Sequence, residues 1–267
     1  MELGAQLEAV AIDIVRAAGA LLTNRPTTLS YSTKSSAVDV VTEMDKASEE
    51  LVRRYLATHR PGDGLLGEEG SDIPSSTGIT WIVDPIDGTV NYLYQLPGWN
   101  ISIAAQHKGA TIAGAVFAPL LDSGLLWSAH AGGGARVRRG NAEPISIHAN
   151  SDVPLHLALL ATGFSYSTEI RVKQGARFAQ MISQVRDIRR MGAAAVDLCL
   201  VASGMVDGYF EEELAPWDLA AGELIATEAG ALVTNASGGK AGRDMVVAAH
   251  PSLHREILAL LARVAGN

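Results

Sequence analysis

Asp84 and Asp87 stand three residues apart at the end of the apolar run Trp81-Ile82-Val83, with Gly88 and Thr89 directly after them. A strand that delivers two carboxylates and an open turn to one point can hold hard divalent cations, which take oxygen ligands and keep waters that a substrate can share. Gly88 and Thr89 add backbone N–H groups at a helix start, a place where an anion such as phosphate binds. Pro85 should stop ladder pairing and force a turn, freeing the carbonyl of Ile86 to face a cation. The same residues also fit a plain loop whose aspartates cap a helix.

Two other acidic segments bear on that choice. Gly67-Glu68-Glu69-Gly70 follows the apolar pair Leu65-Leu66, and Pro216-Trp217-Asp218 opens a segment whose next turns are nearly all apolar. Alone, the first reads as a solvated turn and the second as a first-turn carboxylate favoured by the helix dipole. Together they put several acids against apolar flanks, where charge is costly without cations or partners. The combination points to metal-dependent phosphate chemistry.

These side chains need a scaffold, and hydrophobic periodicity predicts it. Leu7, Val10, Ala11, Ile14, Val15, Ala18, Leu21 and Leu22 predict a helix over 3–23. Thr42 to Asp45 resembles a capping box, with a second helix following to 58. A turn is expected at 61–64, a loop over 71–78 and a strand over 79–83. Runs at 99–106, 111–117 and 124–129, separated by turns, predict an antiparallel meander. A strand over 155–161 comes next, then helices over 169–184, 192–203, 216–228 and 251–264. Extended segments at 185–189, 206–211, 231–234 and 245–248 alternate with them. This is a mixed α/β architecture of layered helices and sheets.

Composition narrows the chemistry. The 267 residues are 48% hydrophobic and 19% charged, which suits an ordinary globular protein. The net charge of −8 argues against nucleic-acid binding, which relies on Lys and Arg. It also means that a phosphorylated substrate needs a local source of positive charge. No apolar run reaches the roughly 20 residues of a membrane span. Glu2 and Glu8 do not suit a secretory leader. The lone cysteine, Cys199, reads as a buried hydrophobe and excludes an intrachain disulfide, so a cytoplasmic protein is expected.

Four motifs in order resemble the inositol monophosphatase family. The segment from Trp81 through Asp84-Pro85-Ile86-Asp87-Gly88-Thr89 to Tyr92 resembles its first signature. Trp217-Asp218-Leu219-Ala220-Ala221-Gly222, continuing to Gly230, resembles its second. Gly67-Glu68-Glu69 matches the glutamate motif, and Lys34-Ser35-Ser36 with Asp39 and Val41 through Asp45 matches the N-terminal loop.

The resemblance implies a single domain over 1–267, with a metal-binding α+β half over about 1–150 and an α/β half over about 151–267. It implies two to three Mg2+ ions. The first would sit on Glu68, Asp84 and the Ile86 carbonyl. The second would sit among Asp84, Asp87 and Asp218, and a third on Glu68 and waters. Glu68 and Thr89 would orient and deprotonate a water, with Asp45 bonded to Thr89. The N–H groups of Gly88 and Thr89 would receive the phosphate. Asp87, Glu211 and the stretch from Gly192 to Ala194 would contact the alcohol, while Lys34 would steer phosphate or order its loop. Glu212 and Glu213 read as a solvated face. Arg189 and Arg190 suit either a second anionic group or a subunit contact.

By this resemblance the substrate is a small phosphorylated polyol, foremost myo-inositol 1-phosphate. Histidinol phosphate, fructose 1,6-bisphosphate or 3'-phosphoadenosine 5'-phosphate are alternatives in the same superfamily, and a regulatory scaffold is one of another class. Lithium inhibition and a homodimer are further expectations.

Overall fold

The computed structural model describes residues 2–265. Helix α1 (Leu3–Thr23) buries Leu7, Ala11, Ile14, Val15, Ala18 and Leu22, the stripe that its periodicity predicts. A short hairpin follows, β1 (Tyr31–Thr33) with β2 (Val40–Thr42). Helix α2 (Glu43–His59) starts with the expected capping box: the Thr42 hydroxyl accepts from the Met44 N–H, and Asp45 accepts from the Thr42 N–H at 2.8 Å.

An eight-stranded sheet comes next along the chain. Its strands are β3 (Gly64–Gly67), β4 (Asp72–Ile73), β5 (Ile79–Asp87), β6 (Asn100–His107), β7 (Ala110–Ala118), β8 (Leu125–His130), β9 (Ala135–Arg139) and β10 (Ile145–Ser146). A five-residue helix, α3 (Thr89–Leu93), joins β5 to β6. The spatial order is β10-β9-β8-β7-β6-β5-β3-β4, antiparallel throughout except for the parallel pair β3–β5.

The rest of the chain alternates: β11 (Leu159–Thr162), α4 (Thr168–Met181), β12 (Asp187–Arg189), α5 (Ala194–Ala202), β13 (Gly208–Glu211), α6 (Pro216–Glu228), β14 (Leu232–Thr234), β15 (Val246–Ala249) and α7 (Pro251–Ala265). Its strands form a five-stranded sheet in the order β12-β11-β13-β15-β14.

Three apolar clusters weld these elements into five layers. One lies between α1, α2 and the first sheet, and holds Leu7, Ile14, Val52, Trp81, Ile101 and Ile103. A second fills the space between the opposite face of that sheet, α5, α6 and the second sheet, with Ile82, Ala104, Trp127, Leu198 and Ile225. A third joins the far face of the second sheet to α4 and α7 through Leu160, Met181, Val247, Ile257 and Leu260. Full burial of each such side chain contributes about 1.5–3 kcal/mol. The layers run helix, sheet, helix, sheet, helix, in line with the expected class.

Several boundaries differ from expectation. Strand β5 continues past Val83 to Asp87, because ladder pairing resumes at Asp87↔Asn100 after an irregularity. The segment 71–78, expected as a loop, adds edge strand β4 to β3 and is tied down by Ser76 N–H to Gly62 O and by the Thr77 hydroxyl to Asp63. Residues 155–157 form a 3₁₀ turn behind Pro154, so that strand starts at Leu159. Strands β1, β2, β3, β9 and β10 were not anticipated. They have two to five residues each, too few for a periodic pattern.

Candidate active site

The two aspartates of β5 face the same layer although their spacing is odd. On a regular strand, residues three apart point to opposite faces. Trp81 and Val83 pack towards α1 and α2, and Ile82 packs towards α5 and α6. Between Asp84 and Asp87 the pairing with β6 slips. Pro85 lacks an N–H and sits within that slip, and its carbonyl accepts from the Ser48 hydroxyl at 3.1 Å. The slip reverses the alternation, so Ile86 packs on the α1 side. Asp87 turns to α5, where the Ala195 N–H reaches its Oδ2 at 2.9 Å, as does the Asn100 side-chain amide. Asp84 accepts from the Ile86 N–H at 3.0 Å.

Parallel pairing brings Glu68 alongside. Gly67 is the register partner of Val83, so the next residues, Glu68 and Asp84, end side by side. The Glu68 N–H bonds to Val83 O at 3.2 Å. Lys34 closes on this point, with Nζ 2.9 Å from Glu68 Oε1 and a second contact to Glu69. Asp218 arrives from the opposite layer, in the first turn of α6 behind Pro216, and accepts from the Ala215 N–H at 2.7 Å.

Gly88 has φ +82° and ψ 43°, and a Cβ there would lie 3.0 Å from Gly192 O. Any other residue would therefore push the β5–α3 turn off α5. Thr89 opens α3, its hydroxyl 3.2 Å from Asp45 Oδ1 and 3.0 Å from Ile86 O. The link from Thr89 to Asp45 is the expected one. The Ile86 carbonyl is shared with the Thr89 hydroxyl.

Glu68, Asp84, Ile86, Asp87, Gly88, Thr89, Ala194, Glu211, Asp218 and Lys34 all line one cleft of about 540 Å³. Asp45 is 1% exposed and reaches the cleft through Thr89. Glu211 lies over Gly163, where a Cβ would fall 2.0 Å from its carboxylate, and accepts from the Tyr209 hydroxyl at 2.6 Å. Glu212 and Glu213 are not a solvated run: both are half-buried, Glu212 pairing with Arg177 at 3.2 Å and Glu213 with the exposed Arg243 at 2.8 Å. Arg189 pairs with Asp187 outside the cleft, whereas Arg190 lines it.

Sequence reasoning missed Asn100, Tyr166 and Asp197. Asn100 sits in a β run where polarity alone was the signal. Asp197 is fully buried in α5, hidden in an apolar helix, and among the described residues its carboxylate has no hydrogen-bond partner.

Eight carboxylates and three basic side chains line the cleft. Burial, then repulsion from Glu68, Asp87 and Asp218, holds Asp84 well above the usual carboxylate range. Asp218 is raised in the same way, by burial and then by Asp87. Burial pushes Asp87 up to about 6 against its bonds to Asn100 and Ala195. Burial lifts Glu211 to about 7, against the Tyr209 hydroxyl, and Asp45 to about 6, against Thr42. Carboxylates held together at such cost fit a site that divalent cations neutralise. Among the described residues no three His, Cys, Asp or Glu side chains are already drawn around one point, since Glu68 is turned to Lys34 and Asp218 to Ala215.

The inositol monophosphatase family profile matches residues 4–265. The chain belongs to the inositol monophosphatase family. It is 45% identical over 240 residues to an inositol-1-monophosphatase of Mycobacterium leprae, covering 87% of this chain and 81% of that protein. It is 38% identical over 231 residues to a Nus factor SuhB of Pasteurella multocida, covering 85% and 84%. Among solved structures, Mycobacterium tuberculosis SuhB superposes with a TM-score of 0.82 at 39% identity over 97% of both chains. The family is generally metal-dependent, and this chain is a phosphoric monoester hydrolase. No helix among the described residues is long and apolar enough to cross a membrane.

Proposed function

We propose that this protein is a Mg2+-dependent phosphatase of a small polyol phosphate, foremost myo-inositol 1-phosphate. The observation that carries this is the cleft where Glu68, Asp84, Asp87 and Asp218 meet: eight acids against three bases repel a phosphate dianion unless cations are present. Glu68, Asp84, Asp87, Asp218 and the Ile86 carbonyl would hold two to three Mg2+ ions, an oxygen-only set of the kind magnesium takes. Bound Mg2+ supplies charge neutralisation, a more acidic water and stabilisation of the leaving alkoxide.

The chain's own groups do the rest. The Thr89 hydroxyl has one proton and two acceptors, Asp45 Oδ1 and Ile86 O, so its lone pairs are open to a hydrogen bond from a water. Asp45 fixes Thr89 in place, and Glu68 takes the water's proton once Lys34 has moved from it. N–H groups at the start of α3 face the phosphate, because the first N–H groups of a helix have no partner within it. Glu211 and the backbone around Ala194 hold the hydroxyls of the alcohol.

Phosphate release from a substrate panel tests this. Turnover of inositol 1-phosphate that needs added Mg2+ is expected, with inhibition by lithium. A far higher specificity constant for histidinol phosphate, or full activity in excess chelator, would refute it. We further infer a homodimer, read by sedimentation, and a cytoplasmic location, in keeping with buried, unpaired Cys199. A scaffold role is a second reading, favoured by the Nus factor name of one relative. An inactive protein under all metal conditions would support it.

A further inference from the structure

Several arginines of this protein are paired with acids. Arg60 meets Asp63, Arg139 meets Asp122, Arg177 meets Glu212 and Arg243 meets Glu213. Arg16 and Arg138 differ. Among the described residues neither has a carboxylate within 4.0 Å, although the chain carries 29 acids against 21 Lys and Arg. Both line one cleft of about 770 Å³ between α1 and the β7–β8 and β9–β10 turns. That cleft shares no residue with the catalytic one and lies on the α1 side of the first sheet, opposite the face that carries Asp84.

Its lining is selective. Among the described residues no Asp or Glu lines it. Ser123 and Asn141 add hydrogen-bonding groups beside the guanidiniums, while Phe117 and Leu126 give an apolar wall. Asp122, the nearest acid in sequence, is turned away to Arg139 at 2.9 Å. The C-terminal carbonyls of α1, which would disfavour an anion, are in part already engaged: Gly19 O by the Thr23 hydroxyl at 2.7 Å and Ala20 O by the Asn24 N–H at 3.3 Å. Two like charges around one concavity repel, and a dianion relieves that repulsion with charge-assisted bonds. Guanidinium suits tetrahedral oxyanions because its planar fork donates two bonds at once.

We propose that this cleft is a second, non-catalytic anion site, which takes a small phosphate- or phosphonate-type dianion with an apolar ring or chain against Phe117 and Leu126. It uses none of the residues assigned to hydrolysis, so either assignment can fail without the other.

Phenylphosphonate is the probe, because its P–C bond survives a phosphatase. It is titrated by calorimetry into the full chain with Mg2+ present, for wild type and for the double variant Arg16→Ala/Arg138→Ala. The variant should bind one equivalent fewer, or bind that equivalent at least tenfold more weakly, with kcat/KM for the substrate within twofold of wild type. Equal stoichiometry and affinity in the two proteins overturn the proposal. A second measurement uses wild type alone: phenylglyoxal modification of Arg138, followed by peptide mass spectrometry, should slow at least fivefold with phenylphosphonate. Exposed Arg171 should react at an unchanged rate. Equal slowing at both arginines, or none at Arg138, overturns it too.

Discussion

Glu49 and Asp84 are both buried, at 4% and 2% exposure, and both sit beside the β3–β4 turn, yet their surroundings are opposite. Glu49 accepts from the N–H groups of Glu69 at 2.8 Å and Ser71 at 3.0 Å. Its charge is answered by its own chain, and it braces the turn that presents Glu68. Asp84 accepts from the Ile86 N–H and otherwise faces the acids Glu68, Asp87 and Asp218. Its charge is left to be answered from outside. Burial alone therefore does not mark a functional acid; burial among other acids does.

Substitution tests that contrast most sharply at Asp84. Asp84→Asn should lower kcat/KM at least about 10³-fold, about 4 kcal/mol, while the melting temperature of the metal-free protein holds or rises as repulsion is relieved. A large loss of stability instead would place Asp84 in the same class as Glu49. Glu49→Ala should do the reverse. Two N–H groups lose a charged acceptor, which costs about 3 kcal/mol, and Tm should fall by roughly 6–12 °C.

Glu211 lies between the two cases, with one donor and several acids nearby. Its carboxyl is raised from 4.5 to about 7 in the fold. The folded state keeps this proton where the unfolded chain has lost it, so stability is greatest below about pH 4.5 and falls as pH rises to about 7. By linkage the loss is about 3 kcal/mol. Glu211→Gln should flatten that slope between pH 5 and 8 in thermal melts; an unchanged slope assigns it to other groups.

Metal addition reads the unanswered charge directly. Mg2+ at a hundredfold excess over its Kd should stabilise wild type by about 2.7 kcal/mol, and Asp218→Asn should lose most of that shift. A full shift in Asp218→Asn would remove Asp218 from the metal set. The smallest effect concerns Lys34, which stands in for a cation at Glu68. The pair is partly exposed to solvent, so Lys34→Met should tighten apparent Mg2+ affinity by no more than about fivefold, within 1 kcal/mol. Weaker Mg2+ binding in that variant would mean that Lys34 supports the metal site.

Long elements were legible because their periodic patterns are long: α1, α2 and the β6–β7–β8 meander appear near their expected limits. Short strands such as β3 were not, although β3 decides where Glu68 stands, through its register with β5. Glu212 was misjudged because its partner, Arg177, is 35 residues away. Asn100 is marked only by its polarity within a β run, and Asp197 carries no local mark of its place beside the cleft.

The sequence by itself determined the longer helices, the mixed class of layered helices and sheets and the identity of the acids, because propensity and periodicity are local and the motifs stand in family order. Only the tertiary structure decided that Asp84 and Asp87 share a face, since the reversal needs a slip against β6. It alone joined Glu68 to them across a parallel pair, brought Asp218 from the facing layer and left Arg16 and Arg138, among the described residues, without a carboxylate partner. Such facts depend on contacts between residues far apart in the chain, which no local pattern encodes.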